Sequence, residues 1–202
     1  MREFSNKVIR RINYTWHKCY FYLTTSFCRL SARLTGVDFY GKVAFRGWTS
    51  FFRASNSIII IGHNCSFNSS DYSNHIGLNH RCIISTMESR AKIRIGDGTG
   101  MSSTTISSWR SVNIGKNVRI GANTVIMDGD FHLDDVRTPA PRPITICDNV
   151  WLGANVVVMK GVRIGENTII GTNSIVTRDI PANCVAAGNP CRVIKKLYNV
   201  NV

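Results

Sequence analysis

Residues 144–176, ITICDNVWLGANVVVMKGVRIGENTIIGTNSIV, decide the fold of this 202-residue chain. A large aliphatic residue returns at every sixth position, and the same step runs earlier in the chain (Ile114, Ile120, Ile126, then Ile146, Leu152, Val158, Ile164, Ile170, Val176). Small residues form a second register (Val150, Val156, Val162, Thr168, Ser174), and Asn or Gly recurs between the two. A period of six fits neither an amphipathic helix nor one long strand. It fits a short strand followed by a corner, where Gly and Asn adopt turn conformations that other residues resist.

Three such sides close a triangular coil of about 18 residues, and stacked coils make a parallel β-helix. Fainter copies of the repeat, at Ile61, Ile76 and Ile95, extend the pattern towards the N-terminus. The sequence therefore predicts an all-β protein whose repeat domain spans residues 55–196. Residues 1–54 precede it as a basic helix and connector, and residues 197–202 follow it as a tail.

Residues 128–145, DGDFHLDDVRTPAPRPIT, interrupt the six-residue step. The segment carries four acidic residues, three prolines and one histidine, His132. We expect a loop that projects from the coil, and loops on a rigid scaffold are where such proteins place functional groups.

The N-terminal segment has a helical period instead. Apolar residues step by three or four and predict one stripe on a helix that Gly36 ends (Phe4, Val8, Ile12, Trp16, Tyr20, Leu23, Phe27, Leu30, Leu34). Residues 1–53 hold ten basic and two acidic groups. The stripe either packs along the coil, which is the commoner arrangement and the one we expect, or lies on a membrane through residues 1–35.

The amino-acid composition excludes some classes of protein and favours others. A hydrophobic share of 44% excludes a disordered chain, and a net charge of +13 favours an anionic partner such as nucleic acid, a membrane or a phosphate-rich cofactor. Basic residues of the repeats are not interleaved with aromatics, which argues against nucleic acid. Seven cysteines without a CxxC pair, and no signal peptide, predict a reduced cytoplasmic protein, peripheral at the inner membrane face if the helix binds lipid.

The motifs NVWLGANV, GTNSIVTRDIP and AAGNPCRVI, within residues 143–196, resemble hexapeptide-repeat acyltransferases. They also resemble the galactoside and maltose acetyltransferases and the O-acetyltransferases of bacterial surface polysaccharides. The resemblance implies a left-handed coil, an exception to the right-handed crossover rule, and a homotrimer with acetyl-CoA between neighbouring prisms. It also implies a catalytic histidine in a D-x-H context, which here is Asp130-Phe131-His132.

The chemistry agrees with that role for His132. An alcohol is a poor nucleophile at neutral pH, so its attack on a thioester needs a base whose pKa lies near 6.5. A carboxylate of the same loop, Asp130, Asp128 or Asp134, is expected to orient the imidazole or to hold the acceptor.

By the same resemblance, other residues line the reaction site. The amide of Ala154 is the candidate donor to the oxyanion. The cofactor channel is expected to involve a set of residues from the same motifs (Trp151, Gly153, Gly171, Thr172, Thr177, Arg178, Arg192, Lys195). Acceptor-binding positions match Ser102, Ser103 and Trp109 only loosely, and structural roles for these three stay open.

A γ-type carbonic anhydrase binds zinc through three histidines on this fold, but the spacing of His63, His75, His80 and His132 does not reproduce that set, so we expect no metal. Within the acyltransferases, the acceptor could be a sugar hydroxyl, an amino sugar, a serine or an antibiotic. We favour transfer of acetyl from acetyl-CoA to a hydroxyl of a surface polysaccharide or its lipid-linked precursor, without a covalent enzyme intermediate.

Overall fold

The computed structural model describes residues 2–132 and 134–197, and the side chains among these from residue 13 onwards. The chain winds as a triangular coil with three faces, each a sheet of parallel strands. The first face contains six strands: β1 (Asp38–Phe39), β4 (Ile58–Ile61), β7 (Lys92–Ile95), β10 (Ser111–Ile114), β13 (Ile144–Ile146) and β16 (Arg163–Ile164).

The second face contains eight strands, of which the last is antiparallel to its neighbour: β2 (Val43–Arg46), β5 (Cys65–Asn68), β8 (Gly100–Ser102), β11 (Arg119–Ile120), β14 (Trp151–Leu152), β17 (Ile169–Ile170), β19 (Cys184–Ala187) and β20 (Arg192–Lys196). The third face contains six: β3 (Ser50–Arg53), β6 (Ile83–Thr86), β9 (Thr105–Ser108), β12 (Val125–Met127), β15 (Val157–Val158) and β18 (Ile175–Val176). Each coil visits the three faces in that order.

The repeat residues occupy the positions that the six-residue period predicts. All nine aliphatics of the main register are at most 4% exposed, and all five residues of the second register are buried as well. The six asparagines that recur at the corners adopt φ between 54° and 61°, the left-handed region that Asn tolerates best after Gly. The all-β repeat fold is confirmed.

The limits of the coil differ from those expected. Its first turn begins at β1 rather than at residue 55, because β1, β2 and β3 pair in register with the strands of the next turn. The loop after β12 ends at residue 143, since Ile144 already pairs with Val112. Of the expected tail, only Leu197 lies within the described residues.

A second loop, residues 69–82, interrupts the coil between β5 and β6 and was not predicted. The dipeptide Ile76-Gly77 looked like a faint repeat, yet Ile76 is exposed in this loop, so that assignment is wrong. The amide of Asn79 donates to Oδ1 of Asn123 at the corner between β11 and β12, two coils along the same edge, and the Asn123 side-chain amide donates to the carbonyl of Gly77. The sequence signal was ambiguous because a corner and a loop use the same Gly and Asn residues.

The N-terminal helix α1 (Arg2–Leu34) ends as expected at Gly36, whose φ is +82°. The amide of Val37 donates to the carbonyl of Ala32, and that of Gly36 to Arg33, which is the Schellman arrangement of a helix end. Within the described residues, no helix combines the length and the apolarity that crossing a membrane requires.

The face of α1 that packs on the coil is not the expected one. Thr24, Cys28 and Ala32 are buried against the first coil, where the hydroxyl of Thr24 donates to the carbonyl of Phe45 at 2.8 Å. The described side chains of the expected apolar stripe are exposed instead, apart from the half-buried Tyr20 (Trp16, Leu23, Phe27, Leu30, Leu34). The expectation that the stripe packs on the coil is therefore wrong for this chain, while Phe4, Val8 and Ile12 lie outside the described side chains.

Candidate functional site

The base of the 128–143 loop is fixed by Asp128, whose side chain is fully buried. Its Oδ1 accepts the amide of Trp109 at 2.6 Å. Its Oδ2 accepts the amides of Arg110 and Ser111 and the hydroxyl of Ser108, all within 2.9 Å. With both oxygens bonded and no exposed surface, Asp128 cannot reach an acceptor. The expectation that it binds substrate does not fit this geometry, and its role is to anchor the loop.

Asp130 is held by a lysine that the sequence reasoning missed. Nζ of Lys160, on the coil below the loop, donates to Oδ2 of Asp130 at 2.6 Å and to the carbonyl of Pro139 at 2.6 Å. The Lys160 side chain is 9% exposed and that of Asp130 is 37% exposed, so water is excluded mainly from the lysine side of this ion pair. The contact ties both arms of the loop to the coil and leaves Oδ1 of Asp130 for another partner. In the sequence, the only indication of this role is that Lys160 stands directly before the corner residue Gly161.

The loop apex carries an exposed imidazole beside an open groove. His132 is exposed, and its carbonyl accepts the amide of Asp135. The ring of Phe131, the preceding residue, meets that of Trp109 edge to face, with centroids 5.0 Å apart. Trp109 is itself buried, so it supports the loop rather than binding an acceptor. Farther along the loop, the Arg137 guanidinium donates hydrogen bonds to the Asp135 carboxylate, and these bonds lower the pKa of Asp135.

A groove of about 780 Å³ lies on the third face between the end of α1 and the loop. Phe52 and Phe131 line it, and Ser85 and Ser107 are also among its lining residues. The Ser85 and Ser107 hydroxyls are buried and bond each other at 3.0 Å. The surface offered to a ligand is therefore mainly aromatic, with the exposed Arg53 and the half-buried Thr105 as its polar groups.

Most of the residues expected at the cofactor site gather on a different edge of the prism. Ala154 lies at the corner between the second and third faces, and Gly153, Gly171 and Thr172 lie on the same edge. A Cβ at Gly153 would come within 2.6 Å of the amide nitrogen of Thr172, so only glycine permits these coils to stack. Arg192 continues the edge, because it pairs with Ala187.

Trp151 and Lys195 share one row on the outside of the second face. Trp151 pairs in register with Arg119 on one side and Ile169 on the other, and Lys195 pairs with Val185 at the end of that row. A concavity of about 400 Å³ lies here, lined by Arg119, Trp151, Ile169 and Leu197 among others. Arg119 is an exposed cation that the sequence reasoning did not select, because it stands in an ordinary strand position.

The structure separates the remaining expected residues from that edge. Thr177 and Arg178 follow β18 and lie at the corner between the third and first faces, the same corner that carries the 128–143 loop. Ser103 is fully buried, and its hydroxyl donates to the carbonyl of His80 at 2.6 Å. Ser102 is also buried and accepts the side-chain amides of Asn68 and Asn74. Ser102 and Ser103 thus hold the 69–82 loop, and acceptor binding by Ser103 does not fit its burial.

Among the described residues, no three His, Cys, Asp or Glu side chains are gathered so that they could hold a metal ion. The chemistry that the described residues can offer consists of an exposed imidazole, corner amides and surface cations. Among the hydrogen bonds of these residues, none is donated by the amide of Ala154, so that donor is available to a ligand.

Comparison with known proteins identifies the repeat. Residues 143–178 match the family described as bacterial transferase hexapeptide (six repeats), and residues 92–128 match the hexapeptide repeat of succinyl-transferase. The galactoside O-acetyltransferase of Escherichia coli (strain K12) is 47% identical over 97 residues, which cover 46% of this chain and 48% of that protein. The chain thus spans about half the length of this relative.

Three solved structures share the fold. A maltose O-acetyltransferase from Clostridium difficile 630 is 26% identical, with a TM-score of 0.51 and coverage of 89% of each chain. The polySia-specific acetyltransferase NeuO is 25% identical, with a TM-score of 0.59 and coverage of 82% of this chain and 76% of that one.

The third is a hexapeptide-repeat acetyltransferase from Vibrio cholerae, solved with acetyl-coenzyme A. It is 23% identical, has a TM-score of 0.53, and the match covers 85% of this chain and 76% of that one. The repeat matches and the shared fold confirm the left-handed β-helix that the resemblance implied. The chain is a hexapeptide-repeat β-helix protein whose relatives, in sequence and in fold, are acetyltransferases.

Proposed function

We propose that this protein transfers an acetyl group from acetyl-CoA to a hydroxyl of a saccharide, with His132 as general base. The observation that carries the proposal is the exposed imidazole on a loop whose base is clamped by Asp128 and by the Lys160–Asp130 ion pair. General-base catalysis requires a fixed position as well as a suitable group, because the base must lie within hydrogen-bond reach of the proton that it removes.

Each group has a defined part in a direct transfer. The imidazole of His132 takes the proton of the acceptor hydroxyl while the hydroxyl oxygen attacks the thioester carbonyl carbon. The Ala154 amide donates to the oxyanion that forms, a contribution that typically changes kcat by 10²–10³-fold. When the carbon–sulfur bond breaks, the imidazolium returns its proton to the leaving thiolate. No covalent enzyme intermediate forms, so none of the seven cysteines takes part: five are buried, Cys147 is half-buried and the exposed Cys19 lies on α1.

The two halves of this machinery lie on different edges of one prism. The His132 loop leaves the corner between the third and first faces, whereas Ala154 lies at the corner between the second and third. Six extended residues, about 20 Å, separate the two corners along one strand of the third face. We therefore place each site between neighbouring protomers of a homotrimer, where the loop edge of one prism meets the Ala154 edge of the next.

The outer surface of the third face supports such an assembly. Val125, Val157 and Ile175 stand next to one another in one row across it, directed away from the core, and are half-buried. The corresponding outward row of the first face carries the exposed Arg94 and Arg163 instead. An apolar row on one face and a charged row on another favour burial of the third face against a second copy.

Acetyl-CoA is assigned to the Ala154 edge. Trp151, Gly153, Gly171 and Thr172 would line its pantetheine arm, and Arg192 and Lys195 would meet its phosphates, with Arg119 as a further cation. Replacing Arg192 and Lys195 together by Gln should raise KM for acetyl-CoA far more than KM for the acceptor. Equal increases in both would contradict the assignment.

The acceptor is assigned to the groove on the third face. Its aromatic residues, Phe52 and Phe131, suit the apolar face of a sugar ring, and Arg53 and Thr105 suit its polar edge. Similarity to a galactoside O-acetyltransferase and to a polysialic-acid-specific enzyme favours a saccharide, in a surface polysaccharide or its lipid-linked precursor. An amino sugar, a serine or an antibiotic is the alternative, and a panel of acceptors assayed by release of the CoA thiol separates these classes.

Replacement of His132 by Ala tests the mechanism. The side chain is exposed on a loop outside the coil, so the variant should keep the fold, the oligomeric state and the affinity for acetyl-CoA of the parent. Turnover should fall by about 10²–10⁴-fold, mainly in kcat, because the lost interaction belongs to the transition state. A folded variant that acetylates the accepted saccharide within a few-fold of the parent rate would show that His132 is not the base.

A further inference from the structure

The helix α1 presents an apolar face that no described part of the chain covers. Five large side chains on one side of the helix, which we name the apolar stripe, are exposed: Trp16, Leu23, Phe27, Leu30 and Leu34. The buried side of α1 is made of the smaller residues Thr24, Cys28 and Ala32. A surface helix normally directs its apolar stripe towards the core. Here the larger apolar side chains face outwards, and within the described residues most of the stripe stays exposed.

The apolar surface extends from the helix onto the first coil. The rings of Phe27 and Trp48 meet edge to face, with centroids 4.8 Å apart, and Trp48 is itself exposed. Two tryptophans, Trp16 and Trp48, thus belong to this surface. Tryptophan is enriched where a membrane meets water, because its ring is apolar and its N–H needs a polar partner.

The same region is strongly basic. The sequence of α1 contains seven Arg and Lys residues and one acidic residue, Glu3. Of the basic groups with described side chains, Lys18 and Arg33 on the helix and Arg46 on the first coil are exposed. An apolar helix face combined with exposed cations is the arrangement of helices that lie in the interface of anionic bilayers.

The charge distribution favours a lipid surface over a second copy of this chain. Residues 1–53 have ten basic and two acidic groups, and residues 54–202 have 15 basic and 10 acidic groups. A contact between the α1 regions of two copies therefore brings the most basic part of one chain against the most basic part of another, which opposes association through this surface. An anionic bilayer neutralises the same charge while it covers the apolar stripe.

We propose that the apolar stripe and the neighbouring basic residues dock α1 in the plane of an anionic bilayer. The coil would then stand at the membrane surface with the acceptor groove next to the helix, since Thr35, directly after α1, lines that groove. The docking is independent of the chemistry at His132, so either assignment can fail without the other.

Vesicle binding of the full chain tests the proposal. The parent should sediment with vesicles of phosphatidylcholine containing roughly one-third phosphatidylserine at ~0.01 M salt, and much less at ~1 M salt, where screening shortens to about 3 Å. Vesicles of phosphatidylcholine alone should retain at least about tenfold less protein, since each basic group near an anionic surface adds to the affinity.

Two double variants separate the stripe from the rest of the helix. Leu23→Ser with Leu30→Ser changes stripe residues that are 66% and 58% exposed. Tyr14→Ser with Tyr22→Ser changes residues of the same helix outside the stripe that are 68% and 75% exposed. The first pair should weaken vesicle binding at least about tenfold. Transfer of one leucine side chain from water to an apolar environment changes an equilibrium constant by about tenfold or more. The second pair should bind within about threefold of the parent.

Three results would overturn the proposal. The first is equal binding of the parent and the Leu23→Ser/Leu30→Ser variant. The second is equal binding of the parent to neutral and anionic vesicles. The third is a smaller oligomer for Leu23→Ser/Leu30→Ser than for the parent in light scattering, which would show that the stripe is covered by a second copy.

Discussion

The two loops that interrupt the coil are anchored by different chemistry. The 128–143 loop is held by charge: the Asp128 carboxylate accepts four hydrogen bonds, and Lys160 pairs with Asp130. The 69–82 loop is held by neutral groups, through the Ser103 hydroxyl at His80 and the Asn123 side chain at Asn79. Hydrogen bonds to charged groups are worth about 1.5–3 kcal/mol and those between neutral groups about 1 kcal/mol.

This difference indicates which loop needs a fixed position. A base that must meet a substrate proton loses rate when it moves by as little as ~1 Å. The loop that carries His132 therefore has the stronger anchors, at the cost of burying a carboxylate. The 69–82 loop has anchors sufficient to close the coil, and its histidines, His75 and His80, have no assigned part in the reaction.

Removal of the Asp128 carboxylate should have the largest effect on stability. Asp128→Ala leaves three backbone amides and one hydroxyl without their acceptor, and we expect a loss of about 3–5 kcal/mol, or roughly 6–20 °C in Tm. Asp128→Asn keeps one acceptor oxygen, but its NH₂ group would face an N–H or O–H donor of the loop base. The stability of this variant should therefore lie between that of the parent and that of Asp128→Ala. Denaturant or thermal unfolding measures the series, and an Asp128→Ala protein as stable as the parent would contradict the anchoring role.

Loss of the Lys160 cation should affect turnover more than stability. Lys160→Met releases both Asp130 and the carbonyl of Pro139, so the loop is less well positioned although the coil stays intact. We expect kcat to fall by about 10–10²-fold while KM for acetyl-CoA stays within about twofold. Lys160→Arg, which retains the charge, should recover part of kcat. A parental kcat for Lys160→Met would show that this ion pair does not position His132.

The matched change on the other loop should be milder. Ser103→Ala removes the hydroxyl bonds to the backbone of His80 and should cost about 1 kcal/mol in unfolding free energy. Because Ser103 is buried and does not reach the groove, kcat and the acceptor KM should stay within about threefold of the parent. A tenfold or larger rise in acceptor KM would restore the original expectation that Ser103 binds the acceptor.

The rate at which Cys82 reacts with a thiol reagent reports how often the 69–82 loop opens, and the measurement needs no substitution. Cys82 closes this loop and is fully buried, and burial raises the pKa of its thiol, whereas Cys19 on α1 is exposed. At pH 8, a maleimide should modify Cys82 at least about 10²-fold more slowly than Cys19, since modification requires local opening. Equal rates would show that the loop is not closed in solution.

Burial also gives these thiols a pH dependence of stability. The pKa of Cys65 is raised from 9.0 to about 11. Above pH 9 the Cys65 thiol ionises in the unfolded chain but keeps its proton in the folded chain. The stability of the fold that is present below pH 9 therefore decreases as the pH rises towards 11. Cys65→Ser should reduce this fall in Tm between pH 9 and 11.

The sequence predicts the regular part of the molecule well because the six-residue period has one physical solution. All fourteen residues of the two registers in residues 114–176 are buried, and the corner asparagines adopt the left-handed conformation. The 69–82 loop was missed because Ile76-Gly77 imitates a repeat. Asp128 and Ser103 were assigned to substrate because a sequence shows which side chains can bind ligands, but not which of them already have hydrogen-bond partners.

The helix shows the same limit for apolar residues. Its period predicts the length and the end of α1 at Gly36, since both depend on local interactions. The period also indicates which side chains avoid water, but it does not show what covers them. Here the first coil covers Thr24, Cys28 and Ala32, because small residues allow the helix backbone to approach the strands closely.

The central claim is that His132 of one protomer acts with the Ala154 amide of a neighbour, and mixed oligomers test it most directly. His132→Ala removes the base, and Ala154→Pro removes the amide hydrogen at a turn position that accepts proline. Each variant alone should be nearly inactive. Co-expressed with different tags and purified as mixed trimers, they should recover about a third of the parent activity, since each mixed trimer keeps both groups intact at about one of its three sites. Mixed trimers no more active than the separate variants would contradict a shared site, and a fully active Ala154→Pro protein would contradict the role of the amide.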